Sequence, residues 1–151
     1  MNFQITADTE MHAFGVRIAR LLTGGEVIEL RGDVGAGKTT FTKGLAAGLG
    51  IDETVQSPSF TISRVYDAPS GLHLAHYDFY RLHDAGIMAD ELNETIQGSS
   101  TVTVIEWADI VDGVLPVDRV TITIAATSET DRRVVLSTGG EKSNKILEGL
   151  A

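Results

Sequence analysis

The chain has 151 residues, 42% of them hydrophobic, and a formal net charge of −9. That size and composition suit one compact α/β domain with a sizeable core and leave no room for a second. With no cysteine, disulfides, thiolate metal sites and cysteine catalysis are excluded, and the acidic balance argues against a broad nucleic-acid surface, which needs a basic face. No apolar run approaches membrane-spanning length, and the N-terminus lacks the basic region and apolar core of a signal peptide. A soluble cytoplasmic protein without membrane contact is expected.

In chain order, residues 9–22 predict an amphipathic helix with Phe14, Ile18, Leu21 and Leu22 on one side and Arg17 and Arg20 on the other. Asp8 or Thr9 can cap it, and Gly24-Gly25 ends it. Glu26 to Leu30 reads as a strand. Gly32-Asp33-Val34-Gly35-Ala36-Gly37-Lys38-Thr39 then fits G-x-x-x-x-G-K-[ST]. Thr40 to Leu49 reads as a helix with Phe41, Leu45 and Leu49 on one face, and Gly48 to Gly50 closes it. Residues 59–66 and 72–80 predict two strands of a hairpin joined by Asp67-Ala68-Pro69-Ser70-Gly71. Residues 84–97 predict a weakly patterned helix. Thr101 to Trp107 is a β-branched run of the kind found in buried strands. Strands follow at residues 118–125 and 132–137, and a polar tail with Lys142 and Lys145 is read as ending in a short helix. The expected fold is a single α/β P-loop NTPase-like domain over residues 1–151, a mixed, mostly parallel sheet flanked by helices.

Strand, glycine loop and helix in that order are the context that gives the loop its meaning. Its glycines let successive backbone N–H groups converge on phosphate oxygens, and the start of the following helix adds partial positive charge. Lys38 can reach the β- and γ-phosphates, the Thr39 hydroxyl can join Mg²⁺, and Thr40 can lend a hydroxyl or N–H to the α-phosphate. Asp33, Val34, Gly35, Ala36, Gly37, Lys38, Thr39 and Thr40 are thus the candidate nucleotide contacts, with Asp33 read as little more than a polar loop residue.

Such a loop needs an acidic group at the end of a neighbouring strand. Asp78 and Glu106 both stand at strand ends. Leu74, His76 and Asp78 share a face. The bland reading of Asp78 is a salt bridge with Arg81, and a structural ion pair also competes for Glu106. Trp107 reads more readily as a core tryptophan than as a stacking platform. His76 reads as a hydrogen-bonded structural residue. Arg81 is divided between a phosphate or partner contact and a surface ion pair. The other histidines, His12, His73 and His83, form no spacing that suggests a metal site.

The loop with Thr40-Phe41, then Ser57-Pro58-Ser59-Phe60-Thr61, His76-Tyr77-Asp78-Phe79-Tyr80-Arg81-Leu82 and Ile105-Glu106-Trp107, taken in that order and spacing, resembles the TsaE family. Its members are small bacterial ATPases of tRNA threonylcarbamoyladenosine biosynthesis. The resemblance covers essentially the whole chain and is densest from Glu26 to Trp107. It implies a domain that binds and hydrolyses ATP with Mg²⁺ and works with TsaB and TsaD, so that tRNA is met only through the complex. It makes Lys38 the phosphate-binding lysine, Thr39 and Asp78 magnesium ligands, and Glu106 a magnesium or water-positioning residue. It also puts Ser59 in a switch-like segment and a nucleotide-contacting arginine at Arg132 or Arg133. Departures are Ser59, where the family usually has Thr, Ala108, where a proline often follows, and a loose match between Arg81 and Thr101.

Two other functions compete. A small-molecule kinase shares the loop but needs an arginine-bearing lid, and no such segment is apparent. A GTP-dependent switch needs a guanine-selecting Asn-Lys-x-Asp motif, whereas Asn144-Lys145-Ile146-Leu147 lacks the aspartate.

Overall fold

The computed structural model describes residues 1–151. Its elements are β1 (Asn2–Ile5), α1 (Asp8–Ala19), β2 (Val27–Arg31), α2 (Lys38–Gly48), β3 (Ser63–Asp67), β4 (His73–Asp78), α3 (Met88–Ile96), β5 (Thr101–Glu106), a 3₁₀ helix (Ala108–Val114), β6 (Val120–Ala126), β7 (Arg132–Thr138) and α4 (Glu141–Leu150). All seven strands form one sheet in the order β1-β7-β6-β2-β5-β4-β3. The four central strands, β6, β2, β5 and β4, are mutually parallel, and the flanking pairs β1–β7, β6–β7 and β3–β4 are antiparallel.

Alternation along the central strands explains the layers. On one face Ile28, Leu30, Val102, Val104, Ile122 and Ile124 meet Phe14, Ile18, Phe41 and Leu45 of α1 and α2. On the other, Val27, Ala75, Tyr77 and Ile105 meet Leu92 of α3 and Ala108 and Val111 of the 3₁₀ helix. Helices therefore cover both faces, as a parallel sheet requires. The phosphate-loop strand lies at the centre, so its C-terminal end opens between two parallel neighbours.

The expected α/β class stands, and the hairpin is present, with Ala68 N–H donating to Leu72 O at 2.9 Å. Two elements were not expected, and several boundaries differ, most at β3 and α3. The N-terminal strand β1 was not expected; it is a short edge strand that adds to β7. The strand expected from Ser59 begins only at Ser63, because Ile62 turns the chain through a left-handed conformation at φ 72°. Residues 84–87 precede α3 rather than belonging to it. The 3₁₀ helix after β5 was also unexpected.

The C-terminal helix α4 starts at Gly140, which has no side chain to cap it. Asp118 supplies the cap from outside: its carboxylate accepts from Lys142 N–H at 3.0 Å and Ser143 N–H at 2.9 Å. A β-carbon on Gly140 would lie 2.6 Å from Asp118 Cγ, which explains the glycine. Hydrogen bonding from Ser143, and then from the Lys142 backbone, holds the Asp118 carboxyl below its ordinary value. Asp118→Ala should cost about 1 kcal/mol of stability, the usual worth of a helix cap. Because the folded-state value is depressed, this contribution is full above the unfolded value near 3.9 and is lost as pH falls through the folded value. Thermal melts of the two proteins should differ at neutral pH and converge below about pH 4.

Candidate nucleotide-binding site

Between β2 and α2 the chain must reverse tightly, and the glycines make this possible. Gly35 (φ 82°) and Gly37 (φ 113°) lie in the left-handed region, where a side chain would be strained. Gly32 packs so close to β6 that a β-carbon would sit 2.7 Å from Ile124 O. Gly37 precedes Lys38 as the cap of α2, and it offers no side chain of its own. The loop N–H groups near the helix start are therefore free for an anion.

Lys38 is buried at 6% exposure, and its ammonium is already engaged. Nζ donates to Gly32 O at 2.6 Å, sits 4.0 Å over the Trp107 ring, and lies 3.9 Å from Glu106 Oε1. The last distance is a Coulombic contact, too long for a hydrogen bond. Burial pulls the ammonium below its ordinary value, against the opposing pull of Glu106, Asp78 and Asp33.

Asp78 and Glu106 end adjacent parallel strands and stand directly opposite each other in register. Both are buried. Asp78 forms no ion pair with Arg81. Its Oδ2 accepts from Ser57 Oγ at 2.8 Å and its Oδ1 from Tyr80 N–H at 2.9 Å, which fixes the carboxylate at the strand end. Glu106 Oε2 lies 2.6 Å from Nε2 of the fully buried His76. His76 is hydrogen-bonded, as expected, and its partner is Glu106.

A cleft of about 250 Å³ joins these groups: it is lined by Lys38, Thr39, Ser57, Ser59, Asp78 and Glu106, with Val34, Gly35, Tyr80, Arg81 and Trp107 around them. A contiguous polar hollow of about 310 Å³ is lined by Asp8, Gly35, Gly37, Lys38, Thr39, Thr40 and Arg132. Hydroxyl and carboxylate oxygens of Thr39, Ser57, Ser59, Asp78 and Glu106 line one side of the first cleft. No group of three or more His, Cys, Asp or Glu side chains is placed to hold a metal ion between them. That donor chemistry fits Mg²⁺, which takes one or two carboxylates together with phosphate oxygens and water, and it does not fit a structural zinc site.

The structure separates the two arginines. Arg132 reaches the loop, its Nε donating to Ala36 O at 2.9 Å and its Nη2 to Gly35 O at 3.4 Å, while Nη1 donates to Ser128 O at 3.1 Å. Arg133, next along β7, points to the opposite face by strand alternation. Asp33 and Val34 line the hollow between the loop and β6 with Gly32, Gly35 and Ala36.

Trp107 departs from the core reading. It is half-buried and adopts a left-handed backbone (φ 56°), which turns its indole out of the sheet to lie against Lys38 and, at 4.8 Å between centroids, the Tyr80 ring. Such a conformation in a bulky residue is strained, and strain of this kind gathers at functional sites. Arg81 stacks on the exposed Phe60 ring at 4.3 Å rather than on an acidic partner. Sequence reasoning missed Ser57 as the support of Asp78 and Trp107 as a wall of the site. The Ser57-Pro58-Ser59 segment was visible as a motif, but its approach to β4 was not.

The family model described as "Threonylcarbamoyl adenosine biosynthesis protein TsaE" matches residues 5–134. Relatives named tRNA threonylcarbamoyladenosine biosynthesis protein TsaE include one from Bacillus subtilis, 39% identical over 84% of this chain and 78% of its own length. Another, from Treponema pallidum, is 40% identical over 82% of this chain and 90% of its own. The crystal structure of YdiB from Bacillus subtilis superposes with a TM-score of 0.82 at 34% identity, covering 99% of this chain and 93% of that one.

Proposed function

The chain belongs to the TsaE family, and from that premise we propose that it is a Mg²⁺-dependent ATPase that supports threonylcarbamoylation of adenosine 37 in tRNA together with TsaB and TsaD. The observation that carries the ATPase reading is the convergence of Lys38, Thr39, Asp78 and Glu106 on one cleft at the C-terminal ends of β2, β4 and β5. Magnesium, when bound there, would neutralise the charge that develops on the phosphates.

The loop N–H groups from Gly35 to Thr39 orient the phosphates, and Lys38 exchanges Gly32 O and the Trp107 face for phosphate oxygen. The Thr39 hydroxyl and Asp78 would hold the cation, with Ser57 and the Tyr80 N–H keeping Asp78 in place and Ser59 lining the same cleft. Arg132 shapes the loop through Ala36 O and borders the hollow beside Thr40. Glu106 orients the attacking water and takes its proton. Arg81 borders the cleft but stacks on the exposed Phe60, and Arg132 is held by the loop carbonyls, so no arginine of this chain is fixed on the transferred phosphate. Turnover by the chain alone is therefore slow, and TsaB and TsaD stimulate it. The net charge of −9 suits a protein that reaches tRNA through its partners.

Hydrolysis of ATP and GTP, measured with and without TsaB and TsaD, tests this reading. ATP should be the substrate and the pair should stimulate. A preference for GTP would overturn the choice of base, and absence of stimulation would overturn the assembly. Glu106→Ala should still bind ATP while turnover falls about 10²-fold; an unchanged rate would make Glu106 structural.

A further inference from the structure

We infer that His76 is a positioning residue that sets the orientation of the Glu106 carboxylate, so that Oε1 faces the phosphate loop. The inference rests on the role given to Glu106 above. His76 is fully buried, on the face of β4 that carries Asp78, and its Nε2 lies 2.6 Å from Glu106 Oε2. That is its one polar contact: Nδ1 is buried with no partner.

A histidine there is a poor choice for packing alone. Leu74 on the same strand face and Val104, opposite His76 in register, are fully buried and apolar. A residue of their kind would fill the space without leaving a buried nitrogen unpaired, which proteins avoid. What the imidazole adds is a bond to Glu106 and to nothing else. Asp78, on the same face, is not a partner of the imidazole; its carboxylate accepts from Ser57 and the Tyr80 N–H instead.

The geometry also fixes a direction. With Nε2 as the donor to Oε2, Nδ1 is the bare acceptor, which matches its having no partner. His76 therefore pins Oε2 from the side of the sheet. Oε1 is left 3.9 Å from Lys38 Nζ, facing the cleft where a water would be oriented. A carboxylate held at one oxygen by a rigid buried ring loses rotational freedom and keeps its other oxygen available. Asp78 has no such need, since its role is to hold a cation and its own partners already fix it.

The test uses the full chain with TsaB and TsaD. His76→Leu should lower kcat for ATP hydrolysis about tenfold to a hundredfold, the range of a partner that orients a catalytic group, with KM for ATP shifted less than about threefold. His76→Gln places an amide N–H near the position of Nε2 and should recover most of that loss. Unaltered kcat in His76→Leu, equal losses in kcat/KM through KM alone, or a Gln variant no better than Leu at matched thermal stability would each overturn the inference. A second readout does not depend on hydrolysis. The imidazole N–H proton of His76 should resonate far downfield in proton NMR and lose that shift in Glu106→Ala; persistence of the shift would overturn the inference. Should the unmutated chain hydrolyse no ATP, the ATPase reading fails, and the resonance still decides whether His76 holds Glu106.

Discussion

Lys38→Ala should lower ATP hydrolysis about 10³-fold while leaving the fold intact. Removing one preorganised charge contact to a transition state costs about 10²–10³ in rate, and Lys38 additionally holds the ground-state phosphates, so the upper end applies. Stability should fall as well, because the relief of burying the ammonium does not offset the stranding of Glu106 and Gly32 O. The buried ammonium carries a desolvation cost, seen in its lowered pKa, and it also offsets Glu106 and satisfies Gly32 O. Deleting one partner of a buried pair leaves the other uncompensated and costs about 3–5 kcal/mol, with the low end expected here because His76 still holds Glu106. Single-turnover hydrolysis with a parallel thermal melt checks both halves. Near-normal hydrolysis would sink the assignment of the loop.

Gly44→Ala should destabilise the protein by about 2 kcal/mol although alanine is the better helix former. Helix propensity favours the substitution by about 1 kcal/mol. Against this, a β-carbon at Gly44 would lie 2.1 Å from His12 O, a backbone atom of α1 that cannot swing aside. Gly15 is constrained from the other helix, its β-carbon position lying 2.3 Å from Phe41 O, so α1 and α2 approach almost backbone to backbone. Overpacking of that severity costs about 3 kcal/mol, and the clash wins. At roughly 2–4 °C per kcal/mol for a chain of this size, the melting temperature should fall about 4–8 °C. A rise in melting temperature would show that the helices can part freely. Since α2 begins at Lys38 and Thr39, any parting also displaces the phosphate site.

The phosphate loop was legible because everything that defines it is local: the strand, the glycine pattern and the helix adjoin in sequence. Asp78 and Glu106 were legible as strand-end acids by the same local logic. Their partners were not. That His76 meets Glu106 depends on the β4–β5 register, and that Ser57 meets Asp78 depends on the path of a loop with no periodic signal. Arg132 and Arg133 could not be separated until the pairing of β7 decided which faces the loop. Trp107 misled because a hydrophobic residue ending an apolar strand normally continues inward, and here a left-handed turn reverses it. β1 escaped notice because its stretch is short and half polar, and it becomes a strand only when β7 supplies a partner.

The order of strands also bears on when the site comes into being during synthesis. Val27–Arg31 emerges early, yet it pairs only with β5 and β6, whose residues lie far down the chain. The α1–α2 pair and the β3–β4 hairpin can close while the chain is still short, since each joins near neighbours in sequence. The central strand cannot, and its loop stays without a floor until β6 has been made. Non-local pairing of this kind slows folding. A nucleotide that recognises the finished loop would therefore stabilise only chains that have closed the whole sheet, which makes its binding a late check on correct assembly.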